Sequence, residues 1–343
     1  MNITTIGLDV AKNVFQVHGV DGHGNTVLRK RLRRKDVRSF FATLAPCVVG
    51  IEACGTAHYW AREIGSVGHE VKLISPAYVK PYVKRNKNDS ADAEAICEAV
   101  GRPSMRFVPV KSADQQSVLM LHRARDLLVR QRTMLVNALR GHLAEYGIVA
   151  AQGIGNVTRL VEMLKDGNEA LIPALARRVL SSIVEQLRQL YLRIQELELE
   201  ILVWHKSNET SQRLATIPGI GPITATAIVA SVGAPSQFRS GRHFAAWLGL
   251  VPRQNSSGDK ERLGRISKRG DKYIRRLLVI GATSVIRYAR SKTAQRNDWL
   301  NRLLARRPAR LVSVALANKM ARIAWVVLAR GDIYRLPATP AAV

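Results

Sequence analysis

The chain opens on strict alternation. Ile6, Leu8 and Val10 fall on one side of a period-two segment, with Gly7 and Asp9 on the other, which predicts a first strand. Asn13 to Val20 and Thr26 to Arg33 predict two more strands. The turn Asp21-Gly22-His23-Gly24-Asn25 between them predicts an antiparallel hairpin. Asp36 to Leu44 reads as a helix. Cys47 to Ala53 is a short apolar run, the pattern of a strand buried on both faces, and it delivers Glu52 at its end. A helix over Ala57 to Val67 and a strand over Glu70 to Ile74 follow. Residues 1–110 thus predict an α/β layer in the order β-β-β-α-β-α-β-α.

The period then lengthens. Residues 111–209 read as long helices, Ala113 to Tyr146 and Glu169 to Lys206. The second carries a seam with 3/4 spacing: Ile183, Leu187, Leu190, Ile194, Leu197 and Ile201. Such a seam predicts a coiled coil joining copies of the chain; a helical bundle closed within one subunit is the alternative. Residues 210–335 form a third, mostly helical block, and residues 336–343 read as a disordered tail.

Charge narrows the partners. The 343 residues carry 53 Lys plus Arg against 26 Asp plus Glu, a formal net charge of +27. A chain this basic binds polyanions, and phosphate backbones first among them. Three cysteines without CxxC spacing argue against a disulfide framework and a zinc ribbon, and fit a reducing cytoplasm. No HxxxH or HExxH pair is present, so a bound metal is expected to be hard and held by oxygen. No signal peptide is expected. The most apolar late stretch, Leu311 to Leu328, is interrupted by Lys319 and Arg322, so no membrane span is expected.

Against this background the acids stand out. Asp9 sits in a strand, Glu52 at the end of a buried strand, and Asp89 and Asp92 lie three apart at a helix start in KNDSADAEAI. Taken alone, Asp89 and Asp92 could be N-terminal capping acids, and Asp9 could pair with Lys12. Together they are a set of hard oxygen donors at the ends of strands and a helix in one domain. Metal-dependent phosphodiester chemistry needs such a set, and the order of elements is that of a ribonuclease-H-like layer.

Two further motifs lie in the third block. Ile217-Pro218-Gly219-Ile220-Gly221 before an apolar helix resembles a helix-hairpin-helix, in which Gly219 and Gly221 let backbone N–H groups approach a phosphate. From Arg253 to Arg276 there are nine Lys or Arg against three acids, and with its glycines the segment reads as a basic loop suited to tracking a nucleic-acid backbone. Arg253, Lys260, Arg262, Arg265, Lys268, Arg269 and Lys272, with Lys12 in the first domain, are the candidate nucleic-acid contacts. Ser257 precedes Gly258 in this segment, without an obvious His partner. Neighbouring cations could stabilise an alkoxide and the phosphate it attacks, yet composition alone does not select this serine.

The motifs GLDVAK, GIEACG, KNDSADA, IPGIGPITA and GLVPRQNSSGDKERLGRISKRGDKYIRR, in this order, resemble the transposases of the one-ten family of insertion sequences, relatives of the pilin-gene invertases. The resemblance covers almost the whole chain. It implies a RuvC-like α/β domain over 1–110 with a D-E-D-D tetrad falling on Asp9, Glu52, Asp89 and Asp92. It implies Mg²⁺, or Mn²⁺ in its place, a helical coiled-coil linker over 111–209, and a transposase domain over 210–335 whose nucleophile is Ser257. It further implies a noncoding bridge RNA that pairs with donor and target DNA, and a bacterial cytoplasmic setting. Dimers, and tetramers in the synaptic complex, would combine the acids of one subunit with the serine of another. Two departures are Cys54, where the family has Thr, and Ser256, which sets two serines side by side. The rival readings are a RuvC-like metal-dependent nuclease for Holliday junctions or other DNA structures, acting without a covalent intermediate, and an architectural nucleic-acid-binding protein.

Overall fold

A computed structural model describes residues 2–84, 89–149, 151, 162, 172–258, 260, 262–289 and 298–335. The expected disordered tail lies outside these residues. The chain divides into two compact units that meet between Gln115 and Gln116.

The first unit is a six-stranded mixed sheet in the order β3-β2-β1-β4-β5-β6. Strands β1 (Thr5–Asp9), β2 (Val14–Val20) and β3 (Thr26–Arg33) form an antiparallel meander. Strands β4 (Val48–Glu52) and β5 (Glu70–Ile74) continue parallel to β1, and β6 (Phe107–Val108) closes the far edge antiparallel. Helices α1 (Val37–Ala42), α2 (Ala57–Gly65), α3 (Pro76–Val79) and α4 (Asp89–Val100) complete it. The expected elements over residues 1–100 are all present, with ends shifted by a few residues.

One expectation changes. Alternation predicts β1 buried on one face only, but Ile6, Gly7 and Leu8 are all buried. Ile6 and Leu8 join Phe15, Val49, Ile51, Trp60 and Ile64 in the core on one side of the sheet. On the other side α4 lies directly on the strand. A Cβ on Gly7 would stand 2.1 Å from the Ala93 carbonyl oxygen and 2.4 Å from the Cys97 nitrogen. Its sheet neighbour Gly50 has the same role under Val100 and Ile96. The glycines hold the helix, and with it Asp92, close to the strand that carries Asp9. Backbone atoms cannot swing aside as a side-chain tip can. Gly7→Ala is therefore expected to destabilise this unit by about 3 kcal/mol or more, read as a lower urea midpoint with an unchanged slope; an unchanged midpoint would refute the close contact.

Among the described residues the second unit is helical apart from one two-stranded ribbon. Helix α5 (Ala113–Ala144) runs into it, and α6 (Ala174–Ser207) carries the expected seam. Leu180, Leu187, Ile194 and Ile201 are buried as the heptad pattern demands. Their cover is the chain's own: Leu187 packs with Val136, and Leu180 clusters with Leu139 and Leu143, all from α5. These four heptad residues are thus covered within one subunit, while Ile183, Leu190 and Leu197 of the expected seam are half-buried. Side chains between the two helices are tied as well, Arg125 to Glu198 at 2.5 Å.

Helices α7 (Glu209–Ala215), α8 (Pro222–Val232), α9 (Gly241–Trp247), α10 (Lys272–Ala289), α11 (Asp298–Arg306) and α12 (Ala309–Arg330) share one core. By length and composition α12 could cross a membrane. In this fold it turns Val312, Leu316, Ala317, Met320, Ala321, Ala324 and Val327 into that core.

Candidate active site

The acids of the first unit are brought to one region by strand register. Leu8 pairs with Ile51 in parallel, so the next residues, Asp9 and Glu52, end adjacent strands side by side. Gly7 and Gly50 face α4, and period two puts Asp9 and Glu52 on that same face. Asp92 comes from the first turns of α4. Burial pushes the Glu52 carboxyl above its usual range, and the Asp92 carboxylate pushes it further. The neighbouring Cys54 thiol is raised by loss of water, then by Glu52 and by Asp9. Three carboxylates therefore share one electrostatic neighbourhood.

Asp89 is the first residue of α4, and its side chain lies outside the described residues. Among the described residues no three His, Cys, Asp or Glu side chains close on a point tightly enough to hold an ion. The donor chemistry nevertheless fits a hard divalent cation. The set is all oxygen, and its mutual repulsion is what such an ion relieves. Lys12 is exposed in the β1–β2 turn, where its carbonyl accepts a 3.4 Å hydrogen bond from Arg34.

The basic segment of the second unit is a β-hairpin, not the loop expected from its glycines. Strands β7 (Pro252–Gln254) and β8 (Leu263–Ile266) pair Pro252 with Ile266 and Gln254 with Leu263. The ladder continues toward the tip through Asn255 N–H donating to the Arg262 carbonyl at 2.9 Å. Ser257 then bridges to Lys260, with Gly258 at φ +50° in the turn. The two serines differ in their bonding. The Ser256 hydroxyl accepts from the Arg262 N–H at 3.2 Å, which commits it to the hairpin frame. The Ser257 hydroxyl makes no hydrogen bond among the described residues and stands exposed at the tip. Arg253, Lys260, Arg262 and Arg265 on the hairpin, and Lys268, Arg269 and Lys272 at and beyond its base, are all exposed.

The hairpin stands on a rigid base that composition does not reveal. Gly249 has φ +70°, and a Cβ there would stand 2.2 Å from the Arg269 carbonyl oxygen. A Cβ on Gly270, at φ +74°, would stand 1.8 Å from the Trp247 oxygen. The two ends of the hairpin thus cross in backbone contact. Buried Arg275 clasps them by donating to the Leu248 carbonyl at 2.8 Å and the Arg269 carbonyl at 2.9 Å. A second tie runs through Tyr273. Its hydroxyl lies 3.1 Å from His122 Nδ1, and His122 Nε2 lies 3.0 Å from the Thr226 hydroxyl. Burial, then the charge of Arg125, pushes His122 down to about 4, so this ring is a neutral strut between α5, α8 and α10.

The glycine turn divides its labour. Gly219, at φ +88°, faces inward, where Gly281 packs so closely that a Cβ on Gly281 would stand 1.9 Å from the Gly219 oxygen. Gly221 is exposed at the start of α8 with nothing within 4 Å of a Cβ, so it leaves the helix N-terminus open to an anion.

Residues 6–148 match a family model described as Transposase, of the DEDD kind in the IS110 group. Residues 211–297 match one described as Transposase IS116/IS110/IS902 family. The chain is 54% identical over 336 residues to a probable family 20 transposase of Pseudomonas aeruginosa, covering 98% of this chain and 99% of that protein. It is 45% identical to the transposase for insertion sequence element IS1328 of Yersinia enterocolitica, over 97% and 99% of the two chains. A more distant relative is the pilin gene-inverting protein of Moraxella bovis, 23% identical over 96% of each.

Proposed function

The chain belongs to the IS116/IS110/IS902 family of insertion-sequence transposases, and from that premise we propose that it cuts and rejoins DNA through a phosphoserine intermediate guided by a bridge RNA. The observation that carries the reading is the contrast at the hairpin tip: Ser256 is bound into the frame, while Ser257 presents an exposed hydroxyl on a hairpin that also carries Arg253, Lys260, Arg262 and Arg265. In the reaction the Ser257 oxygen attacks the phosphorus and gives up its proton. The new P–O bond replaces one to the DNA sugar, which leaves as a hydroxyl. The ester keeps the bond energy, so a second DNA hydroxyl can reverse the step on a new partner without further energy input.

Asp9, Glu52, Asp89 and Asp92 are the residues that would hold Mg²⁺ or Mn²⁺. A cation there supplies Lewis-acid stabilisation of charge building on the phosphoryl oxygens. The strand order β3-β2-β1-β4-β5, with acids at the ends of the adjacent parallel strands β1 and β4, supports a ribonuclease-H-like reading of the first unit. The open α8 N-terminus at Gly221 supports a phosphate contact by the glycine turn. Donor and target DNA, a bridge RNA, and dimers or tetramers of the chain complete the reading. The rival, a metal-dependent nuclease, would use water and leave no adduct.

One preparation tests both halves. Purified without nuclease treatment, the protein is expected to carry a discrete RNA. With that RNA, labelled donor DNA and Mg²⁺, it is expected to form a protein–DNA adduct that survives denaturation. Cleavage to free ends with no adduct at any time would establish the nuclease instead.

A further inference from the structure

The first unit carries a second basic surface that none of the candidate contacts above includes. Within residues 29–38 lie Arg29, Lys30, Arg31, Arg33, Arg34, Lys35 and Arg38, most of them on β3, the edge strand of the sheet. Register fixes which of them share a face with the acids. Asp9 pairs with Gln16, and Gln16 pairs with Arg31. Directly paired residues point to the same side of a sheet, so Arg31, Gln16, Asp9 and Glu52 form one row on the α4 face. Period two adds Arg29 and Arg33 to that face. Arg29 confirms the side, since it lies 3.9 Å from Glu94 of α4. Lys30 is on the opposite face, over the Phe40 ring at 5.0 Å.

We propose that Arg29, Arg31 and Arg33 form a phosphate track for the DNA strand whose phosphodiester the acids act on. This deepens the reading of the acids given above and rests on it. All three arginines are exposed, and Arg31 and Arg33 have no acidic partner among the described residues. An acidic row that must receive a polyanion repels it. Cations on the same face offset that repulsion, and their forked guanidinium groups grip phosphate oxygens in pairs. The spacing also suits the task. Arg31 is two strands from Asp9, about 10 Å across the sheet, a distance that keeps it within a few nucleotides of the phosphodiester the acids act on. At the far end the track is braced by Arg34, which donates to the Lys12 carbonyl and stacks over Trp60 at 5.2 Å. Lys12 therefore lies at the corner where β3 and the β1–β2 turn meet.

The test is the salt dependence of duplex-DNA binding, measured with the full chain and no divalent cation. The Arg31→Gln, Arg33→Gln double variant should lower the slope of log K against log salt by about two. Lys30→Gln removes the same kind of charge from the other face and should leave the slope unchanged. Cleavage reads the direction of the track. Neutral methylphosphonates placed one at a time within a few nucleotides of the cut should, at one position, slow the wild type and have no further effect on Arg31→Gln. Equal slopes for the wild type and the double variant overturn the proposal, as does an effect of Lys30→Gln equal to theirs. A loss confined to structured RNA of the same length overturns it too. Failure of the acid reading looks different: Asp9→Asn would then cleave normally, whatever the slopes show.

Discussion

Ser257→Ala is expected to abolish the protein–DNA adduct and strand transfer, lowering the rate by about 10⁴-fold or more, while DNA binding stays near that of the wild type. Binding draws on the surrounding cations, which an alanine at the tip leaves in place. The chemical step draws on the one oxygen the variant lacks, and no metal or cation can replace a missing nucleophile. Ser256→Ala makes the complementary case. It removes the oxygen that accepts from the Arg262 N–H, one of the ties that close the tip. Its expected effect is a partial loss of rate with the adduct still formed, since the paired frame of Asn255 with Arg262 and Ser257 with Lys260 remains. The experiment is a denaturing gel of labelled DNA with each variant. An adduct from Ser257→Ala, or its disappearance in Ser256→Ala alone, would move the nucleophile to the other serine.

What the chain disclosed in advance follows from the kind of signal each element leaves. The meander β1–β3 and the strands β4 and β5 were legible because apolar alternation and a Gly-rich turn are local. Asp9 and Glu52 could be named for the same reason, as each ends a strand that announces itself. Their adjacency could not, because it depends on Leu8 meeting Ile51 across the sheet. The hairpin that carries Ser257 reads as a loop from its sequence. Its strands are three and four residues long, and Arg, Gln and Gly give them little apolar pattern. The clasp of Gly249, Gly270 and Arg275 was hidden for a related reason: a positive φ and a backbone crossing leave no mark beyond a glycine. The seam of α6 is legible as a seam, but a heptad does not name its partners, and Leu180 and Leu187 find theirs on α5 of the same chain. The arginines of β3 were visible as a run. Only the strand register divides them into those that face the acids and those that do not.

Asp9→Asn is expected to lower the rate by about 10³-fold and, more diagnostically, to uncouple the protein from divalent cations. Glu52 is where removal of the cation is felt. Its folded-state carboxyl is raised above the ordinary 4.5, by burial first and by Asp92 second. The stability it contributes as a neutral group is complete below 4.5 and is lost as the pH rises through the raised value. At neutral pH the cation-free protein therefore carries crowded charge at a cost. Glu52→Gln should raise the melting temperature at pH 7 in chelator by about one or two degrees, with the advantage shrinking to nothing below pH 4.5. Addition of Mg²⁺ should stabilise the wild type at pH 7, because an ion between the carboxylates turns their repulsion into attraction. In Asp9→Asn and Glu52→Gln that stabilisation should be largely lost, as each removes a charged oxygen donor. Calorimetry with and without Mg²⁺ reads these outcomes with no DNA present, so they do not depend on any step of recombination. Equal Mg²⁺ stabilisation of all three proteins would place the cation elsewhere and leave the acids as structural charges.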